Sequence, residues 1–333
     1  MKSDFTSYFT KPDFTKAYGF DKDSNGIIYI ENEKDSVFWQ ELLVKAGLSN
    51  YQIKYGSKNK SNDSRGKAGL KKFFESLNIN ALVGIDSDYD YITHAKVKEP
   101  CKCIARNKFI LHTFSYSRES VIMNDVNINK SIGRIYFSEC INFCFNSFLS
   151  ELSNKIYADL VHLLTLHEMN TIDSGHINSS FSKLTVIYHD DGTYGVSYDD
   201  SFAKGIIDKN IIDNDRLRVH KTNYENLGLT NESAYRFIDG HKVESLIYEV
   251  VKSEQKRLID REQKKIRDDN ANNGNIIGER IKELHNHLRQ NCSFFSILNS
   301  QPLDHDFVYQ RILEKAKDIK NTSETQNPQS TCS

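Results

Sequence analysis

Four acidic residues stand where two apolar segments of the chain end, and their types and spacing are those of a metal-binding site. Glu31 directly follows the apolar segment 27–30, and Asp35 comes four residues later. Asp86 and Asp88 follow a second apolar segment. Carboxylate oxygens are the ligands that Mg²⁺ prefers, and a bound divalent cation can polarise a phosphodiester and activate water. These residues therefore predict a Mg²⁺ or Mn²⁺ site that serves phosphodiester chemistry.

Strands and helices must alternate along this part of the chain to bring the acids together. Runs of apolar, β-branched and aromatic residues predict four strands, at 26–30, 51–55, 81–86 and 109–113. Helical spacing of apolar residues between these strands predicts an α/β fold, with a small, mostly parallel sheet flanked by helices. In such sheets, ligands bind beyond the carboxyl ends of the strands, where the acids stand.

The same acids also have a purely structural interpretation. Asp86, Asp88 and Asp90 can form a turn and cap the start of a helix, and Glu31 can be one arm of a salt bridge. Each segment alone favours this structural interpretation. The presence of two acidic strand ends in one small sheet favours a shared metal site.

The segment between the two acidic strand ends is strongly basic, although the formal net charge of the chain is −1. Its seven basic residues, against the single acid Asp63, are Lys54, Lys58, Lys60, Arg65, Lys67, Lys71 and Lys72. Such an excess is typical of a surface that binds nucleic-acid phosphates. Gly66-Lys67 at the start of a helix can also direct backbone N–H groups at a phosphate. A solvated loop that binds nothing is the alternative.

Composition excludes several other classes of protein and site. No apolar run approaches the ~18 residues that a membrane-spanning helix needs, and six scattered cysteines in 333 residues are typical of the reducing cytoplasm. A zinc site at Cys101, Cys103, Cys140 and Cys144 is disfavoured by its non-standard spacing. A serine hydrolase is disfavoured because no Gly-x-Ser-x-Gly sequence is present.

The character of the sequence changes after about residue 126. Apolar residues then recur at helical spacing, and Asp191-Gly192 between two alternating segments predicts a β-hairpin. The dense mixture of charges at 252–269 predicts a helix that faces solvent or a partner. The expected divisions are a metal-binding domain at 20–125, a mostly helical domain at 126–292 with a hairpin near 184–198, and a C-terminal tail at 293–333 whose polar end, from Asn321, is disordered.

Glu31, Asp35, Asp86 and Asp88 occur in the order that is found in the Toprim domain. That domain is the metal-binding fold of topoisomerases, primases and overcoming-lysogenization-defect nucleases, and its pattern is a strand ending in Glu, an Asp four residues on, and a later strand ending in Asp-x-Asp. Residues 26–125 therefore resemble this family, although Asn32 stands where the family commonly has glycine. Residues 30–39 further resemble the Toprim-like nucleases of bacterial anti-phage defence, such as the AriB-like effectors of the PARIS system.

The resemblance implies roles for residues outside the acidic pattern. Gly66-Lys67 matches a basic Gly-Lys before a helix, which implies a catalytic role for Lys67, and Glu119, after the fourth strand, matches a further metal ligand. Gly240-His241 matches a later family position. The resemblance implies a Mg²⁺-dependent nuclease that acts as a toxic defence effector, forms a homodimer and is held inactive by an ATPase partner subunit.

The implied target is a nucleic acid, which is either RNA, such as tRNA, or DNA. A second class of function stays open, in which a Toprim-like core binds a nucleotide or a partner of a defence complex without turnover. In that case the charged segment 252–269 would be the functional surface.

Overall fold

The structure is a computed structural model that describes residues 25–55, 66–94, 101–135, 144–271, 273–291 and 293–326. The chain divides into two compact units. The first comprises Met1–Val121, Leu164–Ile172 and Asp304–Ser333, and the second comprises Ile122–Leu163 and Asp173–Leu303.

Six strands are present in the described parts of the chain. They are β1 (Gly26–Ile30), β2 (Tyr51–Tyr55), β3 (Ala81–Ile85), β4 (Ile110–His112), β5 (Thr185–Tyr188) and β6 (Tyr194–Ser197). The first four form one sheet in the order β2-β1-β3-β4, and every pairing in it is parallel. The prediction of a small, mostly parallel sheet is confirmed.

Helices separate and follow these strands. In chain order they are α1 (Ser36–Lys45), α2 (Gly66–Leu70), α3 (Cys101–Arg106), α4 (Arg118–Ile122), α5 (Asp125–Ile135), α6 (Phe145–Glu168), α7 (Ser174–Phe181), α8 (Ser201–Ile207), α9 (Asn214–Asn226), α10 (Gly240–Asp269), α11 (Gly274–Asn291), α12 (Phe294–Asn299) and α13 (Phe307–Gln326). Among the described residues, no helix is long and apolar enough to cross a membrane.

The central strands β1 and β3 are buried on both faces, as expected for parallel strands covered by helices. Their register pairs Ile30 with Gly84, so both strands end at the same edge of the sheet. Gly84 has a packing role, because a Cβ atom there would lie 2.9 Å from the ring of Trp39, which is itself buried on α1. The helix can thus pack closely on β3, the strand that directly precedes Asp86.

The C-terminal helix α13 packs against α1 and β4 in the first unit. Its apolar residues at helical spacing are buried, and Tyr309 contacts Phe38 of α1 edge to face. Arg311 donates a hydrogen bond to the hydroxyl of Tyr91 at 2.7 Å. The composition predicts a tail here, with a disordered end from Asn321, whereas the structure is helical to Gln326. Residues 327–333 lie outside the described ranges.

The second unit is mostly helical and contains the predicted hairpin. Strands β5 and β6 pair antiparallel, and Gly192 in the connecting turn has the positive φ of 82° that favours glycine. Helix α10 buries one face between Gly240 and Glu254, including Val243, Leu246 and Val250, and α11 packs on it. The charged residues beyond Glu254 are exposed or half-buried, as the charge mixture predicts.

We predict that Gly84→Ala destabilises the protein by about 1–3 kcal/mol, because the added methyl group would collide with the buried ring of Trp39. The measurement is the free energy of unfolding in urea. The matched control is Gly278→Ala in α11, where a Cβ meets no atom within 4 Å. The control should be neutral or stabilising, because alanine favours helix. Equal effects of the two substitutions would contradict this packing argument.

Candidate metal centre

Glu31 and Asp86 lie side by side at the carboxyl edge of the sheet. The chain enters β1, moves outward to β2 and then returns to β3 on the other side of β1. The gap between β1 and β3 is therefore the topological switch point, where open α/β sheets bind ligands. Oε1 of Glu31 accepts a hydrogen bond from the backbone N–H of Asp86 at 3.0 Å, so the two residues are joined directly across this gap.

Gly66 and Lys67, at the start of α2, hold the other oxygen of Glu31. The backbone N–H of Lys67 donates to Oε2 of Glu31 at 3.2 Å. Gly66 has a φ of 63°, a conformation that favours glycine, and a Cβ there would lie 3.9 Å from the same carboxylate oxygen. Both oxygens of Glu31 are thus fixed by main-chain donors, and the orientation of its carboxylate is set by the fold.

The side chain of Lys67 is buried and turned towards the loop after β3. Its Nζ donates to the carbonyl of Ser87 at 2.8 Å and lies 2.9 Å from Oδ2 of Asp88 and 2.8 Å from Oδ2 of Asp90. Asp88 has a φ of 48°, which is unusual for a residue with a side chain. The lysine therefore neutralises this strained acidic turn.

Arg118 forms a second set of contacts at the start of α4. Its backbone N–H donates to Oδ1 of Asp86 at 2.8 Å. One guanidinium nitrogen, Nη2, lies 2.7 Å from Oε1 of Glu119, and Nη1 lies 3.4 Å from Oδ1 of Asp35. Nη1 also donates to the carbonyl of Lys34 at 2.7 Å. One residue thus positions Asp86 and neutralises two further acids.

Hydrogen bonds of Ser87, the residue between Asp86 and Asp88, hold this part of the chain in place. Ser87, between them, is buried and accepts or donates a hydrogen bond with Nδ1 of His112 at 2.9 Å. Its backbone N–H donates to Thr113 Oγ1 at 3.0 Å. Burial lowers the pKa of His112 well below its usual range, so that its ring is neutral. The network fixes the end of β3 to the end of β4.

The negative charges of the Glu31 and Asp86 carboxylates are only partly balanced by nearby positive charge. Burial raises the pKa of Glu31 to about 7, against the opposing effect of the Lys67 charge. Burial, with the charges of Glu31, Glu119 and Asp35, raises the pKa of Asp86 well above its usual range. Among the described residues, no lysine or arginine side chain forms an ion pair with either carboxyl. Two like charges in a desolvated gap are costly unless a proton or a cation is present.

Asp35 and Glu119 differ from that pair because of Arg118. Burial would raise the pKa of Glu119, but the Arg118 guanidinium outweighs it and holds the pKa below its usual range. Burial raises the pKa of Asp35, and Arg118 opposes the rise. Asp35 directly precedes α1, yet its carboxylate forms no capping hydrogen bond. The contact of Asp35 with Arg118 is therefore its main side-chain interaction with another charged group.

The described residues contain no group of three or more His, Cys, Asp or Glu side chains arranged to hold a metal ion. The other acids of the centre are paired with Lys67 and Arg118. Glu31 and Asp86 remain, and Mg²⁺ commonly takes one or two carboxylates together with several waters. By the chemistry of its donors, this pair fits a hard divalent cation.

The structure brings together six of the predicted site residues and adds others. The residues that meet are Glu31, Asp86, Asp88, Lys67 and, through Arg118, Asp35 and Glu119. Lys71 is exposed, whereas Lys58, Lys60 and Arg65 lie outside the described residues. Lys67 is only 8% exposed, so its ammonium group faces acids and not solvent.

Sequence reasoning missed Arg118 and the contact of Asp90 with Lys67. A basic residue directly before Glu119 was a visible signal for Arg118. A comparison of the chain with protein-family models found no match. A search of curated proteins found no match either.

We predict that Glu31→Gln removes a pH dependence of stability in metal-free protein. Because the folded pKa of Glu31 is about 7 and the reference value is 4.5, its protonation stabilises the fold at low pH, and this contribution is lost as the pH rises through about 7. Relative to wild type, the variant should gain on the order of 2 kcal/mol between pH 5 and pH 8. The measurement is denaturant unfolding with EDTA present.

The control for this prediction is Glu41→Gln, which removes a half-exposed acid that pairs with Lys45 on α1. Surface pairs of this kind contribute little, so the control should follow the wild-type pH dependence. If the stability of Glu31→Gln had the same pH dependence as that of wild type, the pKa of Glu31 would not be raised in the folded protein.

Proposed function

We propose that the chain is a Toprim-like, Mg²⁺-dependent nuclease that hydrolyses phosphodiester bonds of nucleic acid. The observation that carries the proposal is the pair of under-compensated carboxyls, Glu31 and Asp86, at the switch point of a parallel sheet. Such a position suits a ligand of the opposite charge. The order of the acids along the chain, which resembles the Toprim pattern, supports the same choice.

Glu31 and Asp86 would hold the divalent cation, with water completing its coordination. When bound, the cation supplies Lewis acidity that polarises a phosphodiester and favours attack by water. Main-chain donors from Asp86 and Lys67 keep the Glu31 carboxylate in one orientation. The Arg118 N–H does the same for Asp86. Such preorganisation reduces the reorganisation that the reaction requires.

Lys67 contributes a fixed positive charge near the site. Burial would lower its pKa, but Asp88 and Asp90 outweigh burial and raise it, so the ammonium group stays charged. Asp88 is the more open of these partners, with 45% of its side chain exposed. We assign Lys67 the role of holding Asp88 at the edge of the site, where its other oxygen can contact solvent or substrate.

Exposed basic residues beyond α2 support nucleic acid as the substrate. Lys71 and Lys72 are both exposed, and they follow the helix whose first residues contact Glu31. They belong to the basic segment between the two acidic strand ends, which has seven basic residues and one acid in the sequence. Positive charge beside a metal site favours a polyanion. A tRNA target, a role as toxic effector of anti-phage defence, homodimer formation and control by an ATPase subunit extend this proposal and follow the resemblance.

The second candidate function is a nucleotide- or partner-binding module without turnover. The observation that favours it is the exposure of the charged helix α10 beyond Glu254, which leaves a long surface for a partner. If the Glu31→Gln variant protected cells against phage to the same extent as wild type, this second candidate would be favoured.

The decisive experiment for the nuclease proposal is cleavage of labelled RNA and DNA by purified protein, with Mg²⁺ or with EDTA. Wild type should cleave only with Mg²⁺, and Glu31→Gln or Asp86→Asn should lower the rate by about 100-fold or more. Glu41→Gln should cleave at the wild-type rate, because Glu41 lies on the exposed side of α1. Circular dichroism should confirm that every variant is folded.

Equal cleavage by wild type and Glu31→Gln would contradict the assignment of Glu31. Cleavage that persists in EDTA would contradict the metal requirement. The preferred polymer, RNA or DNA, would identify the substrate class in the same experiment.

A further inference from the structure

Arg118 lies beside two acids of the centre that do not belong to the Glu31–Asp86 pair. Its guanidinium lies between Asp35 and Glu119, with nitrogen–oxygen distances of 3.4 Å and 2.7 Å. These two acids and the Glu31–Asp86 pair together would offer enough carboxylates for two ions. The guanidinium instead neutralises one half of this acidic set, and the other half has no such cation among the described residues.

Three further features fix Arg118 in this place. Its side chain is only 16% exposed, its Nη1 donates to the carbonyl of Lys34, and its own N–H is bonded to Asp86. An arginine stays protonated at every accessible pH. A second metal ion would have to displace a largely buried charge from both carboxylates and from a carbonyl, at the cost of its ion pairs and its hydrogen bond.

We infer that Arg118 is a fixed cation that takes the place of a second metal ion, so that the centre binds one divalent cation, between Glu31 and Asp86. This inference rests on the proposed metal centre and assigns its stoichiometry. Asp35 and Glu119 are then positioning residues, which hold the guanidinium and through it the N–H that orients Asp86. The cation at Arg118 is supplied by the chain itself and does not depend on the metal concentration.

The test is to count Mn²⁺ ions per chain by titration, with free Mn²⁺ measured by electron paramagnetic resonance. Wild type should bind one Mn²⁺. Arg118→Met removes the charge and keeps an unbranched side chain, so it should free Asp35 and Glu119 to bind a second ion. Arg118→Lys keeps the charge and should bind one.

The matched control is Arg257→Met in the second unit. Arg257 also lies 2.7 Å from a glutamate, the buried Glu254, but that pair is distant in sequence from the acidic centre. This control should bind one Mn²⁺, which separates a specific effect of Arg118 from a general effect of removing an arginine. Circular dichroism provides the check on folding.

Two Mn²⁺ ions bound to wild type would overturn the inference and leave the proposed nuclease intact. No Mn²⁺ bound to wild type would overturn the metal centre as well. A single ion bound to folded Arg118→Met would show that Arg118 is not what excludes the second.

If Arg118→Met does not fold, Arg118→Gln provides an independent test, because glutamine also removes the positive charge but keeps an amide N–H donor. The inference requires folded Arg118→Gln to bind a second Mn²⁺. A single Mn²⁺ bound to this variant would overturn the inference.

Discussion

The structure of this centre depends on two carboxyls, Glu31 and Asp86, held next to each other where β1 and β3 end. Their proximity follows from the parallel register of two buried strands, and it is locked by the hydrogen bond from the Asp86 N–H to Glu31. Burial raises the pKa of both groups, and the charge of Glu31 raises that of Asp86 further. Two desolvated carboxyls side by side are costly for a fold, and their position at the switch point supports the proposed cation.

Two cations of the chain define what remains for a metal to neutralise. Lys67 is engaged by Asp88 and Asp90, and Arg118 is engaged by Asp35 and Glu119. Both residues also place a backbone N–H on one of the central carboxylates. Lys67 and Arg118 therefore have two roles. Their side chains neutralise the outer acids, and their backbone N–H groups orient the carboxylates of Glu31 and Asp86. The glycine at position 66 and the positive φ of Asp88 allow the chain to make these approaches.

Sequence was sufficient for the sheet and for the acidic edge, because both depend on local patterns. Short apolar runs and strand-end acids identify β1, β3 and the residues that follow them without knowledge of the rest of the chain. The pairing of Lys67 with Asp88 and Asp90, and of Arg118 with Asp35, depends on contacts between distant segments and on the rotamers of long side chains. Helix α13 packs against α1 and β4 through buried residues such as Ile312 and Ile319. These apolar residues stand at helical spacing in the sequence, but the polar residues after Asn321 favour the interpretation as a tail.

The measurement that tests the central claim most directly is the number of protons released when Mg²⁺ binds at pH 7. Because the inner pair has raised pKa values, it holds protons that a divalent cation must displace. Calorimetric titration in two buffers of different ionisation enthalpy gives this number. We expect Mg²⁺ binding with release of up to about one proton per chain, and loss of both in Asp86→Asn. Binding without proton release, or binding that survives in Asp86→Asn, would contradict the account.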